Sequence, residues 1–107
     1  MRSAIGSDVL ILGAGSAGSV VAEQLSADPS CQVTLLEAGP AADAPGVHAL
    51  LSDAALLPIQ PDSPVATRFG STLTDTPPRQ SSLVRGAVVG GSGAINGGYF
   101  CRAAPAD

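Results

Sequence analysis

The chain has 107 residues, nine acidic and five basic, for a formal net charge of −4 and no basic cluster, which excludes nucleic acid as a partner on the usual Lys/Arg footprint. Its length fits one small domain or a piece of a larger one, able to bury only about 60–68% of its unfolded surface. Charged residues make up 13%, against roughly 25% in an average soluble protein, so its surfaces read as ones covered by more protein or by a ligand.

In chain order, Asp8 to Gly13 (DVLILG) is a short apolar run that starts polar and ends at glycine, as a strand buried on both faces of a parallel sheet does. Ser16 to Asp28 reads as a helix with Ala17, Val20, Val21 and Leu25 along one face. Pro29 disfavours helical geometry at Asp28 and ends it. Gln32 to Leu36 (QVTLL) is rich in β-formers and predicts a second strand, closed by Glu37 and broken by Ala38-Gly39-Pro40. Prolines 45, 58, 61 and 64 punctuate the next stretch, where His48 to Leu57 predicts a short helix. Phe69 to Thr76 and Ser82 to Val89 are expected to be extended, with Pro77-Pro78 between them. A turn of helix is expected within Gly93 to Gly98, after a glycine-rich loop. The fold class is therefore α/β, a partial Rossmann-like unit built on β-α-β.

Several features point away from other chemistries. Cys31 and Cys101 lie 70 positions apart and fit neither a redox pair nor a metal-ligand pattern, so both read as thiols in a reducing cytoplasm. No metal site is expected. Arg2 followed by apolar residues resembles the start of a signal peptide, but Asp8 interrupts it and only Val9 to Leu12 precede the glycines, short of the roughly 7–15 residues such a segment needs. No run approaches the roughly 18 residues of a membrane span. The sequence thus predicts a cytoplasmic protein with no membrane span.

The first predicted strand runs into Gly13-Ala14-Gly15-Ser16-Ala17-Gly18, a GxGxxG pattern. Its context is complete: strand before, helix after, then a second strand ending in an acid. Gly13 permits the tight turn, Gly15 lets backbone approach a pyrophosphate, and Gly18 lets helix and strand pack closely. The helix start, with Ser16 and Ala17, offers unpaired N–H groups and the positive end of a dipole. The Glu37 carboxylate can accept hydrogen bonds from two vicinal ribose hydroxyls and would repel a 2′-phosphate, against NADP. The alternative is a glycine-rich turn without ligand. The pattern specifies a dinucleotide and does not separate NAD from FAD.

A second cluster follows: Arg85-Gly86, then Gly90-Gly91-Ser92-Gly93-Ala94-Ile95-Asn96-Gly97-Gly98, six glycines in thirteen positions. Bare backbone suits a large flat ligand lying against N–H and C=O groups. Ser92 and Asn96 add polar side chains, and Arg85 a charge suited to phosphate. The competing reading is a tight loop packed on the first helix.

DVLILGAGSAGSVVAEQLS, LLEAGP and RGAVVGGSGAINGGYFCR together resemble the glucose–methanol–choline (GMC) oxidoreductases, which bind FAD. The first two segments look like that family's FAD fingerprint and the third like its signature RG-x-x-x-GGS-x-x-x-N-G. GGSGAINGGYFCR is worded closest to GMC flavoproteins found beside mycofactocin genes. The resemblance implies that Gly13, Gly15 and Gly18 hold the pyrophosphate and Glu37 the adenosine ribose. It implies that Gly90, Gly91 and Ser92 run along the pyrophosphate and ribityl chain, with Asn96 and Gly97 beside the isoalloxazine. Arg85 matches the motif without an implied side-chain role. Some members attach FAD through a histidine just before that asparagine; here Ile95 stands there, which implies non-covalent FAD.

The resemblance also sets an expectation about what these residues lack. The family's catalytic histidine lies far toward the C-terminus of a longer chain, and the one histidine here, His48, reads as a solvated loop residue. No catalytic residue is assigned. Residues 1–107 are read as an N-terminal FAD-binding fragment without a substrate domain, inactive alone and completed by a C-terminal half or split subunit. Two alternatives stand beside the FAD-dependent oxidoreductase acting on CH–OH donors: an NAD-dependent reductase with an ordinary Rossmann domain, and a truncated relic that only binds the dinucleotide.

Overall fold

A computed structural model describes residues 6–53, 55–98 and 103–105. Arg2, Cys101 and the YFCR end of the second motif lie outside the described residues.

β1 (Val9–Leu12) and β2 (Val33–Leu36) pair in parallel, Val9 opposite Val33 and Leu12 opposite Leu36. A parallel pair needs a crossover, and α1 (Ser16–Ser26) supplies it. Asp8 fixes the entry to the sheet: its carboxylate accepts the Gln32 N–H at 2.8 Å. α1 ends two residues before the predicted Asp28. Pro29 disfavours helical geometry there, and the Asp28 carboxylate takes the Ser30 N–H and hydroxyl instead, at 2.9 and 2.7 Å.

The middle of the chain differs more from expectation. α2 covers only Val47–Ser52, starting from Gly46 at φ +80° and stopping at extended Asp53. The Asp53 carboxylate accepts the Ala55 N–H at 2.9 Å, so a turn replaces the predicted continuation to Leu57. His48 is exposed, as expected, but stands on this helix rather than in a loop. β3 (Ala66–Asp75) and β4 (Pro78–Gly86) form a long antiparallel hairpin. Only Thr76 and Pro77 form its tip. Pro78 opens β4 and pairs with Asp75, a first-residue position where the missing N–H costs no ladder bond. Val88 and Val89, predicted as strand, lie beyond β4 in a turn. α3 is the single turn Gly91–Ala94, two residues earlier than expected.

Apart from Ala14 in the β1–α1 loop, the buried apolar residues among those described sit away from the β-α-β unit. Val47, Val65, Val88 and Ile95 form one cluster, flanked by Leu50, Leu51, Ala66 and Val84. It ties α2, the base of the hairpin and α3 together. The parallel sheet is covered on one face only. Ile11 faces α1, where its Cγ2 lies 3.4 Å from the position of a Cβ on Gly18. Leu10, Leu12 and Leu36 point the other way and are 58%, 75% and 52% exposed. The apolar face predicted for α1 is bare as well: Val20, Val21 and Leu25 are all exposed. The hairpin projects from this body. The radius of gyration is 17.5 Å, against about 13 Å for a compact chain of this length.

Candidate dinucleotide site

The site begins where β1 ends. Gly13 adopts φ +97°, a conformation costly for residues with a Cβ, and turns the chain into α1. A Cβ on Gly18 would fall on the Gly13 carbonyl oxygen. The first turn of α1 is therefore pressed against the loop, and the N–H groups of Ser16, Ala17 and Gly18 begin a helix with no side-chain cap. Such orphan donors, at the positive end of a helix dipole, suit a phosphate.

The second glycine motif crosses this loop at backbone contact distance. A Cβ on Gly91 would lie 2.8 Å from the Gly15 Cα. The Gly90 N–H donates to the Ala14 carbonyl at 2.7 Å, and Gly90 and Gly91 both have positive φ, +97° and +57°. The alternative reading of this motif, a tight loop against the first helix, is thus part of its geometry, since the crossing itself shapes a groove. Sequence reasoning left out Leu12, Leu36, Ala38, Gly86 and Ala87, which line the groove, and Gly39, which supports it. Gly39, read only as a break, lies under the crossing segment: a Cβ there would collide with the Ala87 carbonyl and come within 2.6 Å of the Val88 nitrogen. LLEAGP carries no local signal for this, because the constraint comes from residues far along the chain.

The resulting groove, about 810 Å³, is lined by Gly13, Gly15, Ser16, Ala17, Gly18 and Glu37 on one side and by Arg85, Gly91 and Ser92 on the other. Nine of the twelve sequence-predicted site residues meet there. Gly90 sits behind the wall, on Ala14. Asn96 and Gly97 stand apart, in a second groove of about 760 Å³ between α2 and α3. That groove is lined by Leu50, Leu51, Leu56, Leu57 and Ile59 opposite Ala94 to Gly98.

Three side chains already have partners. The Glu37 carboxylate accepts the Ala14 N–H at 2.7 Å through Oε2 and the Gly39 N–H at 3.0 Å through Oε1. The Gly39 and Ala14 N–H groups hold its carboxyl below the usual glutamate range. The Ser92 hydroxyl accepts the Gly86 N–H at 3.0 Å, leaving its own proton available for donation. Arg85, singled out as a charge for phosphate, lines the groove while its Nη1 donates to the Val84 carbonyl at 3.1 Å. Among the described residues, no group of three or more His, Cys, Asp or Glu side chains is placed to hold a metal ion. Nor is any helix among them long and apolar enough to cross a membrane.

A bare-backbone cradle at a helix N-terminus, closed by an acid at the end of the second strand, defines a dinucleotide-binding β-α-β protein. Residues 7–107 match the family model described as GMC oxidoreductase, and the chain belongs to that family. It is 44% identical to an uncharacterised GMC-type oxidoreductase of Rhodococcus erythropolis encoded in the thcA 5′ region, over all of this chain and 22% of that protein. It is 41% identical to an alcohol dehydrogenase [acceptor] of Pseudomonas putida, over 89% of this chain and 17% of that one. The fold resembles the crystal structure of pyridoxine 4-oxidase from Mesorbium loti, with TM-score 0.76 and 29% identity, over 94% of this chain and 19% of that one. The chain thus spans about a fifth of the length of these relatives. GMC oxidoreductases bind FAD, and the family match does not favour the nicotinamide-reductase alternative.

Proposed function

We propose that residues 1–107 are the cofactor grip of an FAD-dependent oxidoreductase acting on CH–OH donors. The observation that carries this reading is the crossing of the two glycine motifs, Gly91 over Gly15, which makes one groove out of segments far apart in the chain. In this reading Gly13, Gly15, Ser16, Ala17 and Gly18 hold the pyrophosphate on the start of α1. Glu37 takes the adenosine ribose, and Gly90, Gly91 and Ser92 follow the pyrophosphate and ribityl chain. Arg85 supplies positive charge at the groove edge. Asn96 and Gly97, in the second groove, lie beside the isoalloxazine. Bound FAD supplies the hydride-accepting chemistry, while these residues bind and orient it.

The flavin is non-covalent. Ile95, at the position where some family members carry the linking histidine, has no nucleophilic atom, and its side chain belongs to the Val47, Val65 and Val88 cluster. The catalytic base and the substrate pocket belong to parts of the family fold that these residues do not supply, on a C-terminal half or a companion subunit. Substrates are alcohols or a mycofactocin-type carrier, the latter on the wording of GGSGAINGG.

Titration of the purified chain with FAD and with NADH, read by fluorescence, tests the assignment. FAD is expected to bind, to be released in acid, and to give no alcohol oxidation. Tight NADH binding without FAD retention would overturn it, as would flavin that stays on the denatured chain for the non-covalent part.

A further inference from the structure

We propose that Glu37 is a positioning residue whose carboxylate straps the glycine loop into its ligand-ready shape before any ligand arrives. This deepens the cofactor-grip reading and rests on it for the identity of the ligand, though not for the strap itself. The carboxylate, on the groove wall, bridges two backbone N–H groups from different segments of the chain. One is Ala14, in the middle of the GxGxxG loop, at 2.7 Å. The other is Gly39, the seat of the second motif, at 3.0 Å.

Ala14 is the pivot of the loop. It is buried, and its carbonyl is held from the other side by the Gly90 N–H at 2.7 Å and the Ser19 hydroxyl at 3.2 Å. A buried N–H without an acceptor is costly, so the conformation that presents the α1 N-terminus depends on an acceptor at this point. No backbone carbonyl fills that role: the neighbouring Leu36 carbonyl is taken by the Gly13 N–H at 2.7 Å. Each carboxylate oxygen keeps a second lone pair, so the strap and a ribose contact are compatible. The Gly39 and then the Ala14 N–H lower the carboxyl pKa, so the strap favours the ionised carboxylate. Arg85 is the other charged residue lining the groove, and its guanidinium is on the Val84 carbonyl.

The strap is tested on the ligand-free 107-residue chain by NMR. On acidification, the Ala14 and Gly39 amide protons should shift together, with one midpoint below the ordinary glutamate value of 4.5. Separate midpoints, or no shift at either amide, would overturn the proposal without touching the FAD assignment. Inorganic pyrophosphate then probes function, because it has no ribose for Glu37 to touch. A carboxylate that served only the ribose would repel this anion, so Glu37→Gln would leave pyrophosphate binding unchanged or tighter. The strap predicts the opposite sign, about tenfold weaker binding, since a neutral amide accepts only one of the two N–H groups. Unchanged or tighter binding overturns the strap. Failure of the wild-type chain to bind pyrophosphate or FAD counts against the cofactor reading instead, with the amide titration still deciding the strap. If Glu37→Gln does not fold, that titration in the wild-type chain decides alone.

Discussion

Two regions of this molecule are built on opposite terms. In the seam where the glycine motifs cross, backbone touches backbone: Gly39 under Ala87, Gly91 over Gly15, Gly86 against the Gly91 carbonyl. The parallel sheet beside it carries the most apolar run of the chain and leaves half of it bare, with Leu10 58% exposed and lining neither groove. A parallel sheet ordinarily has both faces covered. The difference teaches that shape here is specified where the ligand groove lies, by missing side chains, while apolar burial is concentrated in the small Val47–Val65–Val88–Ile95 cluster. Substitutions should therefore hurt most where no side chain exists at all.

The harshest test of that contrast is Gly39→Ala. The added methyl meets the Ala87 carbonyl and the Val88 nitrogen, which are backbone and have no rotamer to yield. We expect a loss of about 3 kcal/mol, enough to abolish FAD retention in a marginal domain, read as loss of bound-flavin absorbance and of the thermal transition. A variant that binds FAD normally would mean that the seam is loose. Val65→Ala comes next. Val65 is fully buried at the base of the hairpin, and its removed methyl groups plus the cavity should cost about 2 kcal/mol in chemical denaturation. A cost near zero would show that the small cluster contributes little to stability.

The same contrast explains what could be read in advance. The β-α-β unit was legible because each of its signals is local: a four-residue apolar strand, glycines at fixed spacing, and a helical stripe stopped by Pro29. The full hairpin was less so, since Ser71, Ser81, Ser82, Thr72 and Thr74 carry no apolar alternation, and its strands are held by cross-strand pairing rather than by burial. Thr72 and Gln80, opposite one another, exchange a side-chain hydrogen bond that no single segment reveals. Gly39 was illegible for the reason given by its neighbours: its constraint arrives from Ala87. Glu37 was legible as an acid at a strand end, but its two backbone partners exist only once the loop has turned at Gly13 and the chain has turned again after β2.

A milder way to sharpen the comparison is acid. Glu37 has a lowered folded-state pKa, so the stability it contributes is present above the ordinary glutamate value of 4.5 and is lost as pH falls through the depressed folded value. The carboxylate is partly solvated, so the effect is small, a gradual fall in melting temperature between about pH 4.5 and the lower folded value that Glu37→Gln should flatten. A fall of the same size in Glu37→Gln would assign it to other carboxylates.

The smallest effect is expected on the bare sheet face, and there its size is diagnostic. Leu10→Ser removes a side chain that is 58% exposed and lines neither groove. In this chain by itself the change should fall within about ±0.5 kcal/mol in chemical denaturation and should improve solubility, because the lost side chain was already in water. The same leucine under a second layer would behave as a core residue and cost about 2 kcal/mol or more on truncation. The measurement therefore reads the coverage of the sheet at Leu10: a near-zero cost means that Leu10 faces solvent, and a large one means that something packs on it in solution. Paired with Val65→Ala on the same chain, it separates apolar residues that hold this fold from those that await a surface to meet.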